Sequence, residues 1–346
     1  MENSSSNKKT KFSLGGRNYI LLLNSAMYIF ILLIITVIII IEPSFLSFRN
    51  FNFILTQASI SVIIALGEAG IIVAGGVDLS AGRMLALAAI ICATLLQSPT
   101  ASERVFPNLP VLPLILPLLL VIVINIIISA LHGFIFAKFK IDPFITSLGV
   151  AYIVYGGLSL YFDGVAHSAP IGALDKKFTN VVSSSVKIGS FQLSYLVFYA
   201  VIFAVVIWFI WNKTTLGKNL YAIGGNPSAA RVSGVNVIKN IIIAYVIGGI
   251  LYACAGFLLA AYTGSVDNSM GTNYELDAIA ACVVGGVSLK GGVGSVPGVI
   301  IGVMLFQVIN YGLVYIGVNP YVQFVVKGLI IVIAVIIDTQ KYIERN

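Results

Sequence analysis

With 59% apolar and only 10% charged residues over 346 positions, and a mean hydropathy of +1.02, this chain falls outside the water-soluble globular class, in which about a quarter of residues are charged. A net charge of +7 could suit a polyanion, but the basic residues lie in short clusters between long apolar runs, which argues for a lipid bilayer and against nucleic acid. Cys92, Cys254 and Cys282 sit inside apolar runs without Cys-x-x-Cys spacing and read as small packing residues. His132 and His167 stand far apart, so no metal site is expected.

Runs such as Ile31-Leu32-Leu33-Ile34-Ile35 do not alternate, which excludes a β-barrel. A helix needs about 20 apolar residues to cross the hydrocarbon core, and hydropathy gives ten candidate spans: 19–41, 53–74, 84–97, 110–136, 143–161, 193–211, 241–262, 276–290, 296–316 and 321–338. The fold class is all-α, a polytopic membrane protein with one transmembrane domain over 19–338 and tails at 1–18 and 339–346. The first span has no charge between Tyr19 and Ile41 and is expected to be retained as a helix rather than cleaved as a leader.

The second span carries Glu68 and runs into Gly75-Gly76-Val77-Asp78-Leu79-Ser80-Ala81-Gly82-Arg83, ahead of a short third span. Asn125 lies in the fourth span, and Asp142-Pro143 sets a capping side chain before a first-turn proline at the start of the fifth. The long connection 162–192 has mixed polar character and room for a short helix whose position its residues do not fix. In the segment 212–240, Asn226 can cap a two-turn helix that opens at Pro227 and stops at Gly234. So short a helix is marginal alone and needs a packing partner.

The eighth span is short and ends in Gly285-Gly286-Val287-Ser288-Leu289-Lys290-Gly291-Gly292, which shares Gly-Gly-Val-x-Leu with the earlier glycine segment and hints at internal duplication. Two readings of these glycines, Gly75, Gly76, Gly82, Gly285, Gly286, Gly291 and Gly292, stand side by side: pathway or hinge elements, or close helix packing. Gln307 and Asn310 follow in the ninth span. With Glu68 and Asn125 they are candidate pathway residues, or hydrogen-bonding glue between helices. Asn319-Pro320 caps the last span, which holds Lys327.

Ten spans put both termini on one side. That side holds fourteen lysines and arginines, among them Lys8, Arg17, Arg83, Lys138, Lys213, Arg231, Lys290 and Lys341, against five on the other. The positive-inside rule makes it cytoplasmic. No Gly-x-x-x-x-Gly-Lys-Ser/Thr loop occurs, the nearest segment being Leu216-Gly217-Lys218-Asn219, so the chain is not expected to hydrolyse ATP. Nor is there a nucleophile–base pair, and no catalytic residue is assigned. Mid-span ionisable groups are too few for the relay of an ion-coupled carrier, although Glu68 could serve one.

At residues 212–240 the chain resembles permease subunits of bacterial ABC importers for monosaccharides, of the ribose/galactose type. The Gly76–Gly82 segment resembles a second signature of that family, and the likeness runs from the first span to the last. Asp78–Arg83, Tyr274–Ser288 and Val308–Tyr321 are most similar to its galactose and methyl-galactoside branch. Glu68 and Lys290 depart from the pattern, where apolar and small residues are expected. The resemblance implies a homodimeric pore in the bacterial cytoplasmic membrane and a partner ATPase, often a fused double subunit, that holds the ATP and magnesium. It also implies an extracytoplasmic sugar-binding protein. This chain itself binds no cofactor in that scheme. Gly224, Gly225, Asn226, Pro227, Ala229, Ala230, Arg231 and Gly234 become the ATPase-coupling residues, with Ala229 and Ala230 expected to allow close approach of the partner.

Overall fold

The computed structural model describes residue 29 and residues 31–188 and 191–345. The N-terminal tail 1–18 and the start of the first span lie outside the described residues. In chain order the helices are α1 (Ile31–Ile41), α2 (Phe48–Val73), α3 (Ala81–Leu95), α4 (Ile115–Phe139), α5 (Pro143–Ala166), α6 (Lys176–Ser183), α7 (Tyr195–Lys213), α8 (Thr215–Gly225), α9 (Pro227–Val232), α10 (Val237–Thr263), α11 (Tyr274–Val284), α12 (Val296–Tyr315) and α13 (Pro320–Arg345).

Each expected span overlaps one apolar helix. Seven of them (α2, α4, α5, α7, α10, α12 and α13) are long and apolar enough to cross a membrane, by length and composition. The described part of α1, with α3 and α11, is shorter. The local cap signals hold. Asp142 accepts from the N–H groups of Phe144 and Ile145 at the start of α5, and Asn319 accepts from Tyr321 N–H at 2.8 Å. Helix α13 runs on to Arg345, although its apolar, span-like stretch ends at Gln340.

The fold is not purely helical. The connection 162–192 contains α6 and the first strand of an antiparallel hairpin, β1 (Ser185–Ile188) with β2 (Phe191–Ser194), in the register Ser185↔Ser194. Isolated bridges Gln97↔Leu174 and Ile171↔Val266 tie this layer to the ends of α3 and α10.

Helices α2, α3 and α10 form the centre, with α4 on α10 and α11 and α12 on α2. Small residues allow the close crossings. A side chain on Gly67 would strike Tyr252 and Gly248 of α10, and one on Gly256 would strike α3 at Leu85 and Ala88. The outer helices turn apolar faces outward, as α4 does with Leu116, Leu120, Val123, Ile127 and Leu131. Exposed apolar area on that scale suits lipid and not water.

Candidate functional site

Three regions gather the residues singled out above. On the end of the molecule carrying residues 212–240, Thr214 caps α8 immediately after α7. Asn226 then caps α9, accepting from Ser228 and Ala229 N–H at 3.0 Å each. Gly234, at φ +86°, closes α9, with its N–H donating to the Arg231 carbonyl and Val235 N–H donating to that of Ala230.

Gly224 and Gly225 at the end of α8 lie against the last turn of α2 and the 291–292 loop. Gly292 N–H donates to the Val73 carbonyl at 2.9 Å. A side chain on Gly224 would collide with that carbonyl and with Gly292 N, and one on Gly291 would meet Gly224 Cα at 2.9 Å. Three backbones therefore touch at Gly224, Val73 and Gly291–Gly292, a close packing that only glycine allows there. Tyr221 hydroxyl bonds the Gly294 carbonyl at 2.9 Å, and burial raises the phenol above its ordinary pKa, keeping it a donor. The surface helices are thus fixed to α2 and the 291–294 loop.

Ala230 requires a correction. It was expected to face a partner beside Ala229, but it is 4% exposed and packs with Ile71, Ile223, Val237, Ile241 and Tyr245. Six helical residues hold too little periodicity to fix which way the helix faces, and the core chose Ala230. Ala229 is exposed, as are Pro227, Ser228 and Arg231. Val232, which sequence reasoning passed over, is 90% exposed.

The two glycine pairs end their helices alike. Gly75 at φ +84° and Gly286 at φ +85° are the left-handed residues, each followed by an N–H that bonds back to Ile71 or Cys282. The structural equivalence pairs Gly75 with Gly286, so the Gly-Gly-Val-x-Leu match is one residue out of register with the geometry.

Glu68 and Asn125, expected on a pathway, are enclosed at 0% exposure. Glu68 Oε1 accepts from Asp78 N–H at 2.9 Å and Oε2 from Tyr252 hydroxyl at 3.0 Å. Asp78 Oδ1 accepts from Ser80 N–H and hydroxyl, with His132 Nδ1 3.6 Å away. Asn125 donates to the Met84 carbonyl at 3.4 Å. This cluster braces the chain between α2 and α3 against α4 and α10. Arg83, counted with the basic loops, belongs instead to the first turn of α3. Its guanidinium lies 4.4 Å from the centre of the Tyr155 ring and bonds Thr272. Gly82 packs against Gly271 and Glu275 too tightly to admit a side chain.

Gln307 and Asn310 do share a cavity, of about 170 Å³, between α2, α11 and α12, with Gln57, Ser61 and Asp277. Asp277 is paired to Lys327 of α13 at 2.9 Å. Neither Glu68 nor Asn125 lines it.

A helical membrane subunit with a capped surface helix and a polar intramembrane cavity has the parts of a permease. The chain belongs to the family described as branched-chain amino acid transport system / permease component, whose model matches residues 50–335. Among its relatives is the galactose/methyl galactoside import permease protein MglC of Escherichia coli, 51% identical over 320 residues, 92% of this chain and 95% of that one. MglC of Haemophilus influenzae is 49% identical, covering 95% and 98%. The ribose import permease protein RbsC of Bacillus subtilis is 38% identical, covering 90% and 91%. No solved structure matches the chain.

Proposed function

We propose that this chain is the permease subunit of an ATP-driven importer that carries galactose, methyl galactosides or a related hexose into the cell. The 51% identity with a galactose import permease along 92% of the chain carries this reading. The lower identity with ribose permeases, 38%, favours the hexose over the pentose.

In this reading two copies form the pore in the cytoplasmic membrane. A fused double ATPase, which holds the ATP and magnesium, docks on the exposed face of α9 at Ala229 and Val232. A sugar-binding protein delivers substrate from the other side. The basic asymmetry, undisturbed by the removal of Arg83, supports cytoplasmic termini. Together, α1, α3, α11 and the seven long helices make ten spans. ATPase closure pushes on α9, and the Gly224–Val73–Gly292 junction passes the displacement to α2, a rocking between two packings. Gln307 and Asn310 face the path.

The test is labelled galactose uptake in cells expressing the chain with its ATPase and binding protein. Uptake stops on ATP depletion and persists when an uncoupler collapses the proton gradient. The reverse dependence would overturn the proposal in favour of an ion-coupled carrier.

A further inference from the structure

The polar cavity between α2, α11 and α12 sits at one depth in the bundle. Gln57 lies nine residues into α2 and Lys327 seven residues into α13, about 14 and about 11 Å along each helix at about 1.5 Å per residue. Both helices start on the same side in a ten-span topology, so these residues share a layer. Asp277 and Lys327 complete that layer, paired yet 31% and 21% exposed. A polar opening at such depth cannot face hydrocarbon, because unpaired polar groups there cost several kcal/mol each. It faces a water-filled space or another protein.

The chemistry of the lining narrows what fits. Gln57, Ser61, Gln307 and Asn310 offer amides and a hydroxyl, groups that both donate and accept. Asn310 Oδ1 is buried without a partner among the described residues, an acceptor awaiting a donor. The one carboxylate is neutralised by Lys327, so the site carries no net charge and offers nothing to an ionic solute. Phe306 borders the cavity but is 4% exposed, with the Lys327 ammonium 5.9 Å from its ring centre, so the accessible lining is polar.

We propose that this cavity is a transit site for one neutral monosaccharide. Gln57, Ser61, Gln307 and Asn310 exchange hydrogen bonds with its hydroxyls. Asp277, held by Lys327, accepts from a hydroxyl. Few contacts and an open mouth keep the binding weak, as passage requires a site that the solute also leaves. The proposal rests on reading the chain as a sugar permease and adds which residues touch the sugar.

The test is uptake of galactose and of its single-position deoxy analogues through the complete importer, for Asp277→Asn, Gln307→Leu and Asn310→Leu. Each uptake is divided by that of the unsubstituted importer with the same sugar, which cancels the binding protein's own preference. Loss of one hydrogen bond to a sugar hydroxyl is expected to lower galactose uptake about tenfold. The analogue that lacks that hydroxyl should change much less, because its partner is already missing. Assembly with the ATPase stays intact. Equal losses for every sugar, or undiminished uptake in all three variants, overturn the transit site. If Asp277→Asn fails to assemble, Gln307→Leu and Asn310→Leu still decide the matter by the same ratios. Failure of the unsubstituted importer to carry any monosaccharide instead overturns the functional reading itself.

Discussion

Ala230 and Ala229 are neighbours in sequence with opposite surroundings. Ala230→Glu would place a charge among Ile71, Ile223, Ile241 and Tyr245, where an unpaired ion costs several kcal/mol. We expect it to abolish folded permease, seen as loss of the monodisperse peak in detergent. Ala229→Glu and Val232→Glu lie on the exposed face, so the subunit should fold while co-purification of the ATPase falls. If Ala230→Glu stayed folded and Val232→Glu still bound ATPase normally, α9 would not be the docking element. Glu68→Ala orphans the Asp78 N–H and the Tyr252 hydroxyl, about 1–3 kcal/mol for each buried donor. Thermal unfolding in detergent should show a marked fall for Glu68→Ala and a smaller one for Glu68→Gln, which keeps an acceptor. Equal stability of both with the unsubstituted protein would remove the bracing role.

At the scale of elements, what could be read from sequence was local. Asn226-Pro227 and Gly234 are cap and stop signals whose chemistry acts within a few residues, and α9 forms where they place it. Helix α8 went unread because Gly217, Gly224 and Gly225 lower its propensity. Leu216, Leu220 and Ile223 nevertheless recur at helical spacing, and two of them are buried. The hairpin had a signal too: Val186 and Ile188, then Phe191 and Leu193, alternate on either side of Gly189-Ser190. Glu68 was legible as unusual but not as a brace, since its partners Asp78 and Tyr252 lie 10 and 184 residues away. The Gly224–Val73–Gly292 contact invites an element-scale test. Gly224→Val forces α8 away from α2, and we expect the assembled importer to keep ATP hydrolysis but lose most sugar uptake. Full uptake in that variant would place the transmission elsewhere.

For the whole molecule, hydropathy alone found the long apolar helices among the described residues, because lipid imposes one rule along the entire chain: backbone groups must be satisfied within the helix. Which polar residues face a cavity and which face a helix depends on how those helices pack, and that was not legible. The proposed orientation rests on the basic residues and can be measured. Ser183→Cys at the exposed end of α6 should react with an impermeant reagent on intact cells, and Ser228→Cys on α9 should not. The reverse pattern would invert the topology. The most direct measurement reconstitutes the permease with its ATPase and binding protein in proteoliposomes, with the binding protein and labelled galactose outside and ATP trapped within. The account predicts accumulation in the lumen only when ATP is present, and its loss in Val232→Glu. Accumulation without ATP, or at full rate in a Val232→Glu importer, would contradict it.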